Sequence, residues 1–107
     1  MASDLSIRVI GRLPLSLSDE ERAEFLRRTA ELAELTRRHD GVVFYSCNAD
    51  IEVVGTYVFD EVWPSFEVFQ AHLQTTHFNG WWAWVEPRLS GSLQIDYAAL
   101  SSLQRLP

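Results

Sequence analysis

Only three residues, Asn48-Ala49-Asp50, separate two strand-like runs, Val42 to Cys47 and Ile51 to Val62. A link that short joins antiparallel neighbours, because a parallel return needs a crossover of about a dozen residues or more. Gly55 inside the second run marks a bulge or a close backbone approach. Both runs carry apolar residues at both parities: Val42 and Phe44 against Val43 and Tyr45, then Val53, Tyr57 and Phe59 against Val54 and Val58. Successive strand side chains point to opposite faces, so this hairpin predicts a sheet that needs cover on both sides.

The flanking sequence supplies the rest of the architecture. Leu5 to Leu13 reads as a strand, with Leu5, Ile7 and Val9 on one parity and Arg8, Ile10 and Arg12 on the other; Pro14 ends it. Ser18-Asp19-Glu20-Glu21 has the form of a capping box and opens a helix running to about Arg38. Phe25, Thr29, Leu32 and Leu35 form its apolar stripe, flanked by Leu26, Ala30 and Ala33. Acidic residues at its start and Arg37 and Arg38 at its end suit the helix dipole, and His39-Asp40-Gly41 is a break. Pro64 fits the first turn of a second helix, with Ser65 assisting the cap; Asn79-Gly80 interrupts or kinks it, and a further helical piece runs from Trp81 to about Glu86. Pro87 to Ser92 is a loop. Leu93, Ile95 and Tyr97 alternate with Gln94 and Asp96 in a fourth strand.

The order β-α-β-β-α-β predicts an α+β, ferredoxin-like fold: a four-stranded antiparallel sheet with helices on one face. The simplest cover for the other face is a second copy of the chain, a curled sheet or a long tail being the alternatives. At 107 residues the chain predicts a single domain, 1–107, with its core at about 5–97. A formal charge of -6 argues against nucleic acid or an anionic membrane as partner. The single cysteine, Cys47, excludes an intrachain disulfide and a multi-thiolate zinc site, and reads as a small core residue. No apolar run approaches the ~20 residues of a membrane span. Met1-Ala2-Ser3-Asp4 carries no basic, apolar signal, so a soluble cytoplasmic protein is expected.

Chemistry concentrates between Trp63 and Phe78, where two histidines sit among large aromatics; all four tryptophans (Trp63, Trp81, Trp82, Trp84) lie in this stretch or just beyond it. Such a mixture can line a cavity for a planar ligand and supply an acid/base group. His72 lies beside the stripe of Phe66, Phe69 and Leu73, so it is either a hydrogen-bonded core group or a pocket acid/base. His77 is placed near a helix C-terminus, whose carbonyls favour imidazolium, with a pocket role as the alternative. The two differ by about 140° on a regular helix, which is poor geometry for one metal, and no metal site is expected. Trp63 is a core plug or a cavity wall with a free indole N–H. Trp81, Trp82 and Trp84 cannot all face one way. Arg8, Arg12, Gln94 and Asp96 are expected at exposed sheet ends or in ion pairs. Tyr45 and Tyr57 are phenol donors or packing residues.

The run Asp40-Gly41-Val42-Val43-Phe44-Tyr45, then Trp63-Pro64-Ser65 and Ala71-His72-Leu73-Gln74-Thr75-Thr76-His77-Phe78, resembles the antibiotic biosynthesis monooxygenase domain family across about residues 5–97. The resemblance implies a dimeric α/β barrel, two ferredoxin-like sheets facing each other with helices outside. Characterised relatives include cofactor-independent oxygenases of phenols and quinols; others degrade haem or isomerise small signalling metabolites. The resemblance therefore implies a monooxygenase acting on a small aromatic phenol or quinol with molecular oxygen, with no cofactor. A non-oxidative isomerase or decarboxylase and a non-catalytic ligand-binding dimer are the alternatives. His72, His77 and Trp63 carry over as the catalytic candidates, with His72 moving the proton. Phe69, Tyr45 and Trp82 are expected to bind substrate. The haem-degrading branch uses an Asn on the first strand and a histidine ligand one turn beyond the His-Phe pair. Ser6 to Arg12 holds no Asn, and Asn79, Gly80, Trp81 and Trp82 follow Phe78, so haem degradation is not expected.

Overall fold

The computed structural model describes residues 5–102 and 104–106; residues 1–4, read above for a targeting signal, lie outside the described residues. The elements are β1 (Ser6–Pro14), α1 (Asp19–His39), β2 (Phe44–Ala49), β3 (Thr56–Trp63), α2 (Phe66–His72), α3 (Thr76–Val85) and β4 (Gln94–Leu100), with a short 3-10 turn at Glu86–Arg88. The strands form one antiparallel sheet in the order β2-β3-β1-β4. This is the expected α+β arrangement, a four-stranded sheet with flanking helices. Within one chain the sheet is open and not closed into a barrel. No helix of the described residues is long and apolar enough to cross a membrane.

Register decides which side chains share the inner face. Val9 stands opposite Glu61, Gly11 opposite Phe59 and Leu13 opposite Tyr57, while Tyr45 pairs with Glu61 from the other side. Directly paired residues point the same way, so Ile7, Val9, Leu13, Tyr45, Tyr57, Phe59 and Trp63 enter one buried core. The capping box forms as expected: Ser18 Oγ accepts from Glu21 N–H and Glu21 Oε1 from Ser18 N–H. Phe25, Thr29, Leu32, Ala33 and Thr36 are the buried face of α1. Thr29 belongs there because its Oγ1 accepts from Trp81 Nε1 at 3.0 Å, satisfying both polar groups inside the core.

Two sequence expectations about the sheet need correction, and one alternative is decided. The third strand begins at Thr56, not Ile51. Asp50 Oδ1 accepts from the amides of Glu52 and Val53, and this side-chain turn captures the backbone that a strand would need. Ile51 and Val54 are 95% and 96% exposed, so their apolar character does not belong to a sheet face. Gly55 ends the turn at φ +88 and is a close approach, not a bulge: a Cβ there would stand 3.0 Å from the Leu15 carbonyl oxygen. The outer face is accordingly less apolar than expected. Arg8 forms a double hydrogen bond with Asp60 and Arg12 pairs with Asp50 at 2.7 Å, beside Ile10, Phe44, Val58 and Val62.

The second helix breaks earlier than expected. α2 ends at His72, and Thr75 caps α3 by accepting from the Phe78 N–H. Asn79-Gly80 lies inside α3. Instead of interrupting the helix, Asn79 Nδ2 donates to the Leu73 carbonyl, which the break leaves without a helical partner, and to the Thr75 carbonyl, which also accepts the Asn79 backbone N–H.

Candidate functional site

α1 stops at Asp40, whose N–H donates to Thr36 O; Gly41 follows at φ +73, a conformation that glycine takes without strain. The stop aims the Asp40 carboxylate at the break between α2 and α3. Its Oδ2 lies 2.7 Å from His72 Nδ1 and 2.7 Å from His77 Nε2. The three side chains are almost sealed, at 5%, 1% and 18% exposure. The break is what lets two imidazoles that would diverge on a regular helix meet at one oxygen. A carboxylate can only accept, so both ring nitrogens donate to it and Nε2 of His72 is left as that ring's acceptor. Burial lowers the proton affinity of His72 below the ordinary imidazole value; the bond and charge of Asp40 oppose this, and His77 adds to it. The three ligand atoms lie within 4.8 Å of one another and form the group among the described residues that could hold a metal ion.

In front of His72 lies a cavity of about 290 Å³ between the sheet and the α2–α3 segment. Its walls are Val9, Gly11 and Leu13 of β1, Phe59 of β3, Phe69, Leu73, Phe78, Trp81 and Trp82 of the helices, and Leu93 and Ile95 beside β4. Tyr45, Glu61 and His72 add polar groups. Tyr45 Oη stands 3.5 Å from His72 Nε2, a long contact that leaves the two groups weakly paired. Glu61 Oε1 accepts from Trp63 Nε1 at 2.7 Å. Burial pushes the Glu61 carboxyl up to about 7; the Trp63 bond opposes the rise and the Asp60 charge adds to it. The Tyr45 phenol is also raised, by burial first and then by the Glu61 charge.

The structure places the expected residues unequally. His72, Tyr45, Phe69 and Trp82 line the cavity. Trp63 is fully buried, its ring centroid 4.8 Å from that of His72, and stands behind the wall with its indole N–H already given to Glu61. His77 lies in the first turn of α3, not at a helix C-terminus, so the dipole argument made for it fails; Asp40 holds it instead. His77 opens on a separate groove with Arg27, Arg28 and Glu31. The tryptophans diverge as anticipated: Trp81 is buried, Trp82 lines the cavity, and Trp84 lies under Arg88 at 3.9 Å. Cys47 packs on the core, its thiol pushed up to about 12 by burial.

Two residues escaped the sequence reading, and each carried a signal. Asp40 is an acid at a helix C-terminus, where the dipole disfavours it, so something else must hold it there. Glu61 shares its strand parity with Tyr57, Phe59 and Trp63, which puts a carboxyl on the core-facing side.

Comparison with known proteins agrees with this architecture. A Caulobacter crescentus protein described as a candidate antibiotic biosynthesis monooxygenase superposes with a TM-score of 0.81 at 22% identity, covering 95% of this chain and 93% of that one. A conserved protein from Methanosarcina mazei gives 0.78 at 22% identity over 91% and 94% of the two chains. A Nitrosomonas europaea protein, described like the first, gives 0.80 at 14% identity over 92% of each. At these identities the likeness is one of fold. No curated protein matches the chain. The family pattern for antibiotic biosynthesis monooxygenases matches residues 7–84, the greater part of the sequence, and the chain belongs to that family.

Proposed function

We propose that this protein oxidises a small phenol or quinol with molecular oxygen, acting as a cytoplasmic homodimer whose two sheets face each other. The observation that carries the reading is His72: a buried imidazole, anchored through Nδ1 by Asp40, with its acceptor Nε2 beside an apolar cavity. Nε2 takes the substrate hydroxyl proton. The resulting phenolate is electron-rich enough to reduce oxygen directly; a new C–O bond forms on the ring, the O–O bond breaks, and water leaves. A phenol plus one oxygen molecule thus gives a quinone plus one water, and the protein supplies no electrons. Aromatic walls hold the ring flat. The apolar part of the outer sheet face, Phe44, Val58, Val62 and Ile10, supports burial against a second copy.

Oxygen uptake over a panel of naphthols and hydroquinones tests this. One oxygen should be consumed per substrate, and His72→Ala should slow uptake by about 10²–10⁴-fold. If neither His72→Ala nor Trp63→Phe alters uptake, the site is misassigned.

One observation favours a second reading. Glu61 holds its proton up to about pH 7, and an acid and a histidine base lining one cavity suit proton transfer without oxidation, as in an isomerase or decarboxylase. Turnover that continues under nitrogen would select it. A purely ligand-binding dimer is the remaining alternative, and the access of His72 to the cavity counts against it.

A further inference from the structure

The cavity gathers its acid, phenol and imidazole on one wall, and the Trp82 indole is the further polar group of its lining. Tyr45 and Glu61 are direct partners across β2 and β3, and the Tyr45 and His72 rings meet edge to face at 5.5 Å. The three polar groups therefore share one wall. Beyond them the lining is hydrocarbon or aromatic, with Leu13, Phe59, Phe78, Leu93 and Ile95 offering no polar side-chain atom. Trp81, also there, has already given its indole N–H to Thr29. On the shared wall Glu61 is half satisfied. Oε1 takes the Trp63 indole N–H, while Oε2 has no hydrogen-bond partner among the described residues.

Resting on the reading that this cavity holds the substrate, we propose that it admits arenes hydroxylated along one edge and free of anionic groups, with Glu61 binding the hydroxyl and repelling carboxylated arenes. A hydroxyl donor completes the hydrogen bonding of a buried carboxylate that would otherwise lack it. A carboxylate on the ligand meets a like charge in a low-dielectric wall, where repulsion is strong. An anionic group elsewhere on the ligand meets no cationic side chain in the lining and loses its hydration without compensation. Glu61 thus sets specificity by accepting from the hydroxyl of the bound arene, and in turnover His72 takes the proton of a hydroxyl on the same edge.

Isothermal titration under nitrogen tests this with α-naphthol and its derivative carrying a carboxylate ortho to the hydroxyl. At about pH 8 the wild-type protein should bind α-naphthol and discriminate against the derivative by at least about tenfold, the low end of a like-charge cost. In Glu61→Gln the gap should close. Equal binding by the wild type, a gap unchanged in Glu61→Gln, or no binding of α-naphthol overturns the inference. Should Glu61→Gln not fold, the wild type at about pH 5.5 replaces it, because Glu61, pushed up to about 7, is then protonated and the gap should shrink. The groups facing Glu61 are Tyr45 and Cys47 from β2, both raised by burial and protonated throughout, and His72 from α2, lowered by burial. β1 brings only Val9 opposite, and Asp60 lies on the other face of the same strand. A gap that persists at the lower pH overturns the inference as well. Because binding is read without oxygen, discrimination without turnover keeps this inference and removes the oxygenase reading; oxygen uptake without discrimination does the reverse.

Discussion

Asp40 and His72 come from elements 32 residues apart and meet at 2.7 Å, Oδ2 to Nδ1, inside the protein. The same oxygen holds His77, so one carboxylate ties the end of α1 to both sides of the α2–α3 break. Asp40→Asn keeps the shape and replaces that oxygen by a weaker acceptor, or by an amide N–H facing a ring N–H. We expect a loss of about 1–3 kcal/mol, the cost of breaking a buried charged hydrogen bond. Urea unfolding at neutral pH measures it. The pH dependence has a fixed sign. His72 binds protons less well folded than unfolded, so its contribution is present above the ordinary imidazole value of 6.5 and is lost as pH falls below it. A wild-type protein that gained stability through this window relative to His72→Gln would contradict the burial assigned to that ring.

Glu61 works in the opposite direction. Its carboxyl value rises from 4.5 unfolded to about 7 folded, so the folded chain binds the proton more tightly and stability falls as pH rises between those values. Glu61→Gln keeps the acceptor for Trp63 and removes the charge. The variant should match the wild type near pH 4.5 and exceed it by about 3 kcal/mol above pH 7, at 1.36 kcal/mol per unit. Paired urea titrations of the two proteins across this range cancel the other titrating groups. A difference independent of pH would show that Glu61 is ordinarily solvated.

Local chemistry was legible in the sequence, and tertiary convergence was not. The start of α1 could be read because Ser18 and Glu21 cap each other within four residues. The third strand is shorter than its sequence suggests because Val53 and Val54 have strand character, while Asp50 binds the Glu52 and Val53 amides in a turn. The helix break falls before Asn79-Gly80, the stronger general breaker, because Thr75 caps α3 and Asn79 donates to the free Leu73 carbonyl. His72 could be placed from its neighbours on the helix. Its meeting with Asp40 and His77 depends on that break and on where α1 stops, which no spacing rule encodes.

The cap of α1 also reaches another part of the fold. Glu21 Oε2 accepts from Arg88 Nε at 2.8 Å, tying the 3-10 turn to the first turn of α1. Ser18→Ala removes the acceptor for the Glu21 N–H and should cost about 1 kcal/mol. Ser18→Asp supplies a new acceptor and should recover most of it. Thermal unfolding of the three proteins checks the ranking; equal midpoints for serine and alanine would mean that the cap is held by the Glu21–Arg88 contact alone.

Two glycines should respond oppositely to the same substitution. Gly80 lies inside α3, and an added Cβ would meet nothing within 4 Å. Gly80→Ala reduces the freedom of the unfolded chain at no steric cost and should stabilise by about 0.5–1 kcal/mol. Gly55 sits at φ +88 with the Leu15 carbonyl oxygen 3.0 Å from the position of a Cβ, while its own carbonyl accepts from the Leu15 N–H at 2.8 Å. The backbone cannot retreat without breaking that bond, so Gly55→Ala combines left-handed strain with a clash and should destabilise by about 1–3 kcal/mol. Denaturant midpoints should therefore move apart, Gly80→Ala above the wild type and Gly55→Ala below it. A neutral Gly55→Ala would show that the turn before β3 relaxes freely, and that the close approach to Leu15 does not fix where the strand begins.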